Sequence, residues 1–241
     1  MSMVLPYKEA KESKKRQVAR MFDSIAGRYD LLNHLLSAGI DVSWRRKAIA
    51  LLKAKQPRLI LDIATGTGDF ALEALKLNPE KVIGIDISEG MLEVGKRKIA
   101  KLGLEGKIEL KKGDSEIIEY PDNYFDAVIV AFGVRNFENL PLGLSEMHRT
   151  LKKDGTVVIL EFSKPSGFIF RGLYNFYFKY ILPLVGRLVS KDKAAYTYLP
   201  ESVNEFPYGK QFVRLLQETG FKSAGCKELT FGVSSIYTAT K

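Results

Sequence analysis

The sequence predicts an α/β fold: a doubly wound, mostly parallel sheet with a C-terminal antiparallel hairpin and an N-terminal helical lid. Two observations support this prediction. Between residues 59 and 162, short runs of apolar and β-branched residues alternate with amphipathic helical segments, as in parallel strands joined by helical crossovers. Near the C-terminus, two strand-like runs instead follow one another directly and meet at Gly232, which is typical of an antiparallel pair.

Length and composition bound the class of protein. The chain has 241 residues, of which 46% are hydrophobic and 27% charged, enough for one large α/β domain with a filled core. One cysteine and two histidines exclude a disulfide framework and predict no metal site. The first residues lack an apolar leader, so we expect a cytoplasmic protein. The formal charge of +9 suits nucleic acid, an anionic membrane surface or simple solubility.

The predicted domain, residues 1–241, divides into four parts. They are an N-terminal helical arm and lid (1–57), a ligand-binding core (58–165), an apolar helical insertion (166–207), and a terminal helix with the hairpin (208–241). The basic first twenty residues predict a charged, solvated arm or a frayed helix. Residues 21–52 predict helices with a break, the second capped by Asp41 or Ser43. Because they precede the first strand, we expect them to fold over the site as a lid.

The core elements follow from the alternation of apolar runs and helical periods. Predicted strands are 59–63, 81–87, 107–111, 125–132 and 155–162, with helices at 69–77, 88–102 and 140–151. The helix at 88–102 has Ser88 as its predicted cap. A terminal helix is predicted at 208–219, ending at Gly220, with hairpin strands at 226–231 and 233–239.

Residues 166–190 interrupt this alternation with a crowd of aromatic and aliphatic side chains. Arg171, Lys179, Arg187 and Pro183 lie among them and argue against a membrane-spanning helix. The segment therefore predicts an interfacial helix, a tunnel for an apolar substrate, or a helical insertion packed on the domain.

A glycine-containing turn joins the first strand to its helix. Gly66 and Gly68 allow a sharp turn and close approach of a ligand to the backbone, at a helix start that carries unpaired N–H groups. The pattern fits a dinucleotide loop and also the loop that binds S-adenosylmethionine (SAM); a turn without ligand is the alternative. The carboxylates of Asp62 and Asp69 would repel a pyrophosphate and suit the cationic groups of SAM, so SAM is favoured.

Polar residues at the ends of the next strands extend this site. Asp86 ends the second strand twenty residues after Gly66 and predicts a ribose-binding carboxylate, with a strand-end cap as the alternative. Asp114 and Ser115 follow the third strand and suit the amino group and a ring nitrogen of adenine. Cofactor binding is thus predicted at the loop and at two strand ends.

Arg135 and Asn136 follow the fourth strand. Ligands of open α/β sheets bind outside the carboxyl ends of the strands, so these side chains are expected at the substrate mouth. The alternative is a structural pair of Arg135 with Asp69 or Glu161 and a turn-capping role for Asn136.

Several motifs together resemble the MenG/UbiE family of SAM-dependent methyltransferases of respiratory quinone biosynthesis. They are MFDSIAGRYD at 21–30, NHLLS at 33–37, WR at 44–45, FGVRN at 132–136 and LEFSKP at 160–165, with YLPES at 198–202 and FP at 206–207. The resemblance runs from about residue 20 to the C-terminus. It implies a class I, Rossmann-like methyltransferase in which Thr67, Asp86, Asp114 and Ser115 contact SAM. It also implies methyl transfer to a ring carbon of a polyprenyl quinol, either demethylmenaquinol or a methoxybenzoquinol.

The implied reaction suggests roles for the polar residues at the mouth. Arg135 and Asn136 would steady the phenolate that develops on the acceptor. Asp69, through a water held by Arg135, is the first candidate for the general base, and His34 is the second. The 166–190 segment would receive the prenyl tail or rest on a membrane.

Three other classes of protein stay open from the residues alone. They are a SAM enzyme acting on nucleic acid, a dinucleotide oxidoreductase, and a SAM-binding partner protein without activity. No basic groove or stacking module is recognisable, so nucleic acid is not the expected partner.

Overall fold

A computed structural model describes residues 4–37, 39–165 and 193–241, together with Gly167 and Gly172. The described strands form one seven-stranded sheet in the order β3-β2-β1-β4-β5-β7-β6. They are β1 (Leu59–Ile63), β2 (Lys81–Asp86), β3 (Ile108–Lys112), β4 (Phe125–Ala131), β5 (Leu151–Phe162), β6 (Lys222–Leu229) and β7 (Ser234–Thr240). The first five are parallel, and β7 runs antiparallel to both β5 and β6.

Helices cover both faces of this sheet. They are α1 (Lys14–Ile25), α2 (Tyr29–Leu36), α3 (Ile40–Ala50), α4 (Asp69–Ala74), α5 (Glu89–Lys101), α6 (Leu140–Thr150), α7 (Lys193–Glu205) and α8 (Lys210–Glu218). The predicted fold class is confirmed: a doubly wound, mostly parallel sheet with an antiparallel C-terminal hairpin and N-terminal helices. The strand order reverses between β1 and β4, and the crevice at this switch point is where such sheets bind ligands.

The core consists of two apolar layers, one on each face of the sheet. Leu61, Ile63 and Val128 belong to one layer, whereas Ile60 and Ile129 belong to the other, because side chains alternate along a strand. All five are fully buried. Strands buried on both faces read as continuous apolar runs, which explains why β1 and β4 were predictable.

Two strands begin earlier than predicted. β5 begins at Leu151 rather than at residue 155, because Leu151 already pairs with Phe125 ahead of an irregularity in the register. β6 begins at Lys222 rather than at residue 226 and is largely exposed along its length. An edge strand of this kind is fixed by pairing with β7 and carries little apolar signal.

The N-terminal predictions need two corrections. The predicted cap of α3 was wrong: the helix begins at Ile40 after Gly39, while Asp41 lies in its first turn and bonds Arg45. The solvated arm was also wrong over α1, because Lys14 and Val18 are buried.

The predicted apolar insertion lies mostly outside the described residues, since 168–171 and 173–192 are not among them. Of the helices that are described, none combines the length and the apolar character needed to cross a bilayer.

Candidate active site

The loop between β1 and α4 is built on left-handed backbone. Gly66 has φ of 56° and Gly68, the residue before α4, has φ of 83°. The Gly68 N–H donates to the carbonyl of Thr65 at 2.9 Å, and the Thr65 N–H donates to Ile85 of β2 at 3.0 Å. A side chain at Gly68 would meet Leu110 and Ile99 in the core, so this glycine serves the turn.

Asp86, at the end of β2, is hydrogen-bonded to this loop. One carboxylate oxygen accepts from the Gly66 N–H and the other from the Ser88 N–H, both at 2.8 Å. Burial raises the pKa of Asp86 to about 6. Each oxygen keeps a further lone pair, so the carboxylate can still accept from a ligand hydroxyl.

Asp62 provides a test of whether SAM fits these residues. It is 1% exposed, and one oxygen accepts from the Thr65 hydroxyl at 2.6 Å. The other oxygen is buried without a hydrogen-bond partner in the described chain, and burial raises the pKa to about 7. A buried carboxylate with an open oxygen is costly unless a cation binds it, and SAM carries an ammonium and a sulfonium. The open carboxylate oxygen of Asp62 therefore fits the cationic part of SAM.

Two adjoining clefts lie over the loop. The larger, of about 620 Å³, is lined by Asp86, Asp114 and Ser115, and the smaller, of about 360 Å³, by Thr67 and Asp69. They share a boundary formed by Tyr29, Ala64, Gly66, Ala131 and Phe132. The structure thus brings the predicted cofactor residues together, except Gly68, which lies behind the turn. The arrangement suits an adenosine in one cleft and an amino acid in the other.

Helices α1 and α2 close over the clefts with charged side chains. Lys15 pairs with Asp114 at 2.5 Å, and Asp30 accepts from the Thr67 hydroxyl at 2.6 Å. Lys14 donates to the carbonyl of Phe137 at 2.8 Å, and burial lowers its pKa to about 8. These roles could not be predicted from the residues alone, because a basic N-terminal run is usually a solvated surface.

Asp69 is held by cations from two helices. Its carboxylate bonds Lys98 of α5 at 2.7 Å and lies 3.6 Å from Arg45 of α3. Lys98 also pairs with Asp30 of α2 at 2.6 Å. Asp69 therefore lies in the smaller cleft in a network that joins the lid to the core.

Arg135 and Asn136 occupy a short 3₁₀ turn, Val134–Asn136, after β4. Arg135 is paired with the buried Glu161 at 2.7 Å, the structural alternative raised above, and not directly with Asp69. Asn136 lines the larger cleft, donates to the carbonyl of Phe132 at 3.4 Å, and has a buried Oδ1 for which the described residues offer no partner. The side chain of His34 lies outside the described part of the chain.

An aromatic cluster adjoins the boundary of the clefts, and sequence reasoning missed it. The rings of Phe132 and Phe162 stack with centroids 4.5 Å apart, and Trp44 of α3 lies 6.2 Å from Phe132. The available signal was the position of both phenylalanines at the carboxyl ends of strands, where ligands of such sheets bind.

The fold and the paired clefts define a SAM-dependent methyltransferase. Solved structures with this fold include a SAM-dependent methyltransferase from Thermotoga maritima (TM-score 0.64, 18% identity, covering 92% of this chain and 99% of that one). Another, a putative SAM-dependent methyltransferase from Methanococcus maripaludis, has a TM-score of 0.60 at 20% identity, covering 97% of this chain and 96% of that one.

Sequence comparison gives the family. The chain belongs to the ubiE/COQ5 methyltransferase family, whose model matches residues 8–241. It is similar to a demethylmenaquinone methyltransferase of Bacteroides fragilis, with 50% identity over 95% of this chain and 94% of the relative. It is also similar to a ubiquinone/menaquinone biosynthesis C-methyltransferase UbiE of Geobacter sulfurreducens, with 44% identity over 95% of this chain and 90% of the relative. The resemblance seen in the motifs is confirmed.

Proposed function

We propose that the protein transfers a methyl group from SAM to a ring carbon of demethylmenaquinol and so forms menaquinol. The observation that carries this proposal is a SAM-fitted pair of clefts whose shared boundary includes the aromatic residues Tyr29 and Phe132. Relatives over nearly the whole chain bear the name demethylmenaquinone methyltransferase. Others are named for both ubiquinone and menaquinone biosynthesis, so methylation of a polyprenyl methoxybenzoquinol is the second candidate.

We assign the cofactor contacts to residues of the loop and the strand ends. Asp86 would accept from the ribose hydroxyls, and Asp114 with Ser115 would hold adenine, while Gly66 and Thr67 would line the path between them. The pairing of Lys15 with Asp114 must loosen for Asp114 to accept from adenine. When bound, SAM supplies an electrophilic methyl group.

Asn136 and Arg135 would act on the acceptor. A hydroquinone hydroxyl titrates near 10, like tyrosine, so its phenolate needs stabilisation at neutral pH. Asn136 offers a side-chain amide at the larger cleft, and Arg135 adds a buried positive charge behind it. The new C–C bond would form as the C–S bond of SAM breaks, the ring proton would pass to the general base or to water, and S-adenosylhomocysteine (SAH) would leave.

Asp69 stays the first candidate for the base that removes the acceptor proton. It lines the smaller cleft, where its carboxylate is oriented by Lys98 and Arg45. Lys98 also pairs with Asp30 of α2, so positioning of the lid is the competing role.

We infer a peripheral contact with a membrane, because a polyprenyl quinol is a bilayer lipid and the chain carries a formal charge of +9. Basic residues near an anionic leaflet are attracted to it without any spanning helix.

The proposed function is tested by mass spectrometry with SAM and two short-tailed acceptors, demethylmenaquinol and demethylated methoxybenzoquinol. We expect a product that is one methylene heavier, with SAH in equal amount, from demethylmenaquinol at the higher kcat/KM. Preference for the benzoquinol would select the second candidate. SAH binding in calorimetry without product from either acceptor would reject quinol methylation.

A further inference from the structure

Phe132 has a backbone conformation that is unusual for a bulky residue. Its φ is 58°, in the left-handed region that favours glycine. The conformation is held by three hydrogen bonds: the Phe132 N–H donates to Leu160 at 2.7 Å, and its carbonyl accepts from Arg135 and Asn136. Strained backbone persists where the surroundings over-determine it, often at functional sites. The turn after β4 therefore fixes the direction of this ring.

Phe132 lies where the two clefts meet. It lines both of them, together with Tyr29 from α2. SAM is an adenosine and a methionine joined at sulfur, so a molecule that fills both clefts has its sulfur near this boundary. Phe132 is thus an aromatic surface beside the place where the methyl group must leave.

The ring is also supported from behind. Phe162, the last residue of β5, stacks on it with an interplanar angle of 30°, and Trp44 packs edge-on against Phe162 with centroids 6.3 Å apart. The indole N–H of Trp44 donates to the Thr230 hydroxyl at 2.8 Å, which fixes Trp44 against the C-terminal hairpin. The three rings form a rigid aromatic group that still reaches both clefts through Phe132.

We propose that Phe132 is the stacking surface for the aromatic ring of the acceptor and holds the ring carbon toward the methyl group of SAM. This inference rests on the function proposed above and adds a specificity-determining residue to it. An electron-rich hydroquinone prefers an offset stack on an aromatic face, whereas a saturated ring gains only apolar contact. Phe162 and Trp44 act as positioning residues, since they fix the Phe132 ring.

The first test replaces Phe132 with leucine, which keeps an apolar side chain without β-branching. We expect Phe132→Leu to raise the KM for short-tailed demethylmenaquinol roughly three- to tenfold, the size of an aromatic pair. The affinity for SAH, measured by calorimetry, should stay within about twofold. The matched control is Tyr124→Leu, an exposed aromatic residue at the opposite end of β4, which should change neither quantity. An unchanged KM in Phe132→Leu would overturn the proposal.

A second test compares the binding affinities of an aromatic and a saturated ligand, without turnover. In the presence of SAH, the wild-type protein should bind a short-tailed naphthohydroquinone several-fold more tightly than its fully saturated diol. Phe132→Leu should remove that preference, and Phe132→Tyr, which keeps the ring, should restore it. Phe162→Leu leaves the strained Phe132 unchanged and should reduce the preference for the aromatic ligand in part. This variant tests the proposal even if Phe132→Leu folds poorly. Equal preference in all variants would refute stacking.

The two proposals fail differently. If the wild-type protein binds SAH and methylates no quinol, the proposed function fails. If it methylates demethylmenaquinol and the preference for aromatic ligands is independent of Phe132, only the stacking proposal fails.

Discussion

Two carboxylates, the buried Asp62 and the half-buried Asp86, dominate the electrostatics of the cofactor site. Burial raises the pKa of Asp62 to about 7 and that of Asp86 to about 6, and repulsion by Asp86 also raises the pKa of Asp62. Arg45 and the Thr65 hydroxyl act in the opposite direction on Asp62. Because a cationic ligand favours the ionised forms, binding and deprotonation must be linked.

SAM affinity is therefore expected to rise with pH between about 5 and 8, as binding drives protons from Asp62 and Asp86. Calorimetry at neutral pH in two buffers with different ionisation enthalpies should reveal proton release. Asp62→Asn should flatten the slope, whereas Glu93→Gln on the exposed face of α5 should not. Identical slopes in all three proteins would contradict the linkage.

The same two carboxylates determine whether the free energy of unfolding rises or falls with pH. Their pKa values are raised in the folded protein above the unfolded value of about 4. At pH values between the unfolded and the folded pKa, the folded state therefore binds more protons than the unfolded state. Their contribution to the free energy of unfolding should fall as pH rises from about 4 to 7. Thermal unfolding of the ligand-free protein should show Asp62→Asn gaining stability relative to wild type as pH rises through this range.

Asn136 gives the cleanest test of phenolate stabilisation. Arg135→Ala should cut turnover strongly with little change in SAM affinity, but it also leaves Glu161 buried without its partner. Asn136→Ala avoids that cost and should lower kcat about a hundredfold, as loss of one oxyanion donor does, with SAH affinity within about twofold. The control Asn204→Ala lies on the exposed face of α7. Equal loss of SAH binding and turnover would reject the assignment.

Asp69→Asn separates the two roles of Asp69. If Asp69 is the base, kcat at neutral pH should fall about a hundredfold and recover toward high pH, where the quinol ionises by itself. The amide can still accept from Lys98, so SAH affinity should change little. A large loss of SAH affinity with a normal kcat would instead assign Asp69 to positioning of the lid.

At the scale of elements, α1 and α2 attach to the core through carboxylates. Asp23 of α1 accepts from the Ser88 hydroxyl at 2.6 Å and from the Gly90 N–H at 2.8 Å, at the start of α5. Carboxylates at helix N-termini are favourable because unpaired N–H groups point toward them. Asp30 makes the second attachment, to Thr67 and Lys98, directly beside the smaller cleft.

Loss of the Asp30 attachment should open the lid. In Asp30→Asn, limited proteolysis within residues 14–58 should accelerate several-fold, and saturating SAH should restore much of the protection. The control is Glu73→Gln on α4, whose partner Lys76 is exposed. Unchanged proteolysis would mean that α2 is held by apolar packing alone.

The sequence predicted elements whose signal is local and missed contacts that only the tertiary fold creates. Strands β1, β2 and β4 were found because burial on both faces makes them apolar, and strand ends located Asp86 and Asn136. Burial of Lys14 was not predictable, since its partners lie on the turn after β4. The left-handed backbone conformation of Phe132 was not predictable either, because bulky residues rarely adopt it and no sequence pattern marks the exception.

At the scale of the whole molecule, the reversal of strand order at β1 and β4 gathers the site. The turn after β4 packs directly on the loop after β1: a Cβ at Gly133 would lie 2.6 Å from the Cβ of Ala64. The N-terminal helices attach beside the smaller cleft where Asp30 accepts from Thr67. The C-terminal hairpin attaches to the aromatic cluster where Thr230 accepts from Trp44. Segments near both ends of the chain therefore pack at the carboxyl ends of the same central strands.

The distribution of charge gives the last prediction. Lys11 and Arg16 are exposed near the lid, whereas Lys53 and Lys55 are exposed just before β1, at the opposite end of the strands. If the lid end meets an anionic bilayer, a Lys11→Glu, Arg16→Glu variant should bind phosphatidylglycerol vesicles about thirtyfold more weakly, as each of the two basic residues near the surface contributes about 1 kcal/mol. The matched variant Lys53→Glu, Lys55→Glu carries the same net charge and should bind like wild type.

Salt and lipid composition separate this attraction from insertion of an apolar segment. Charge attraction should fade when the ionic strength rises well above about 0.15 M, where the screening length is about 8 Å, and should be absent with pure phosphatidylcholine. Binding that resists salt and ignores lipid charge would instead mean that apolar burial holds the protein on the membrane. Equal weakening by both charge-reversal pairs would show that only the net charge of +9, and not its position, matters.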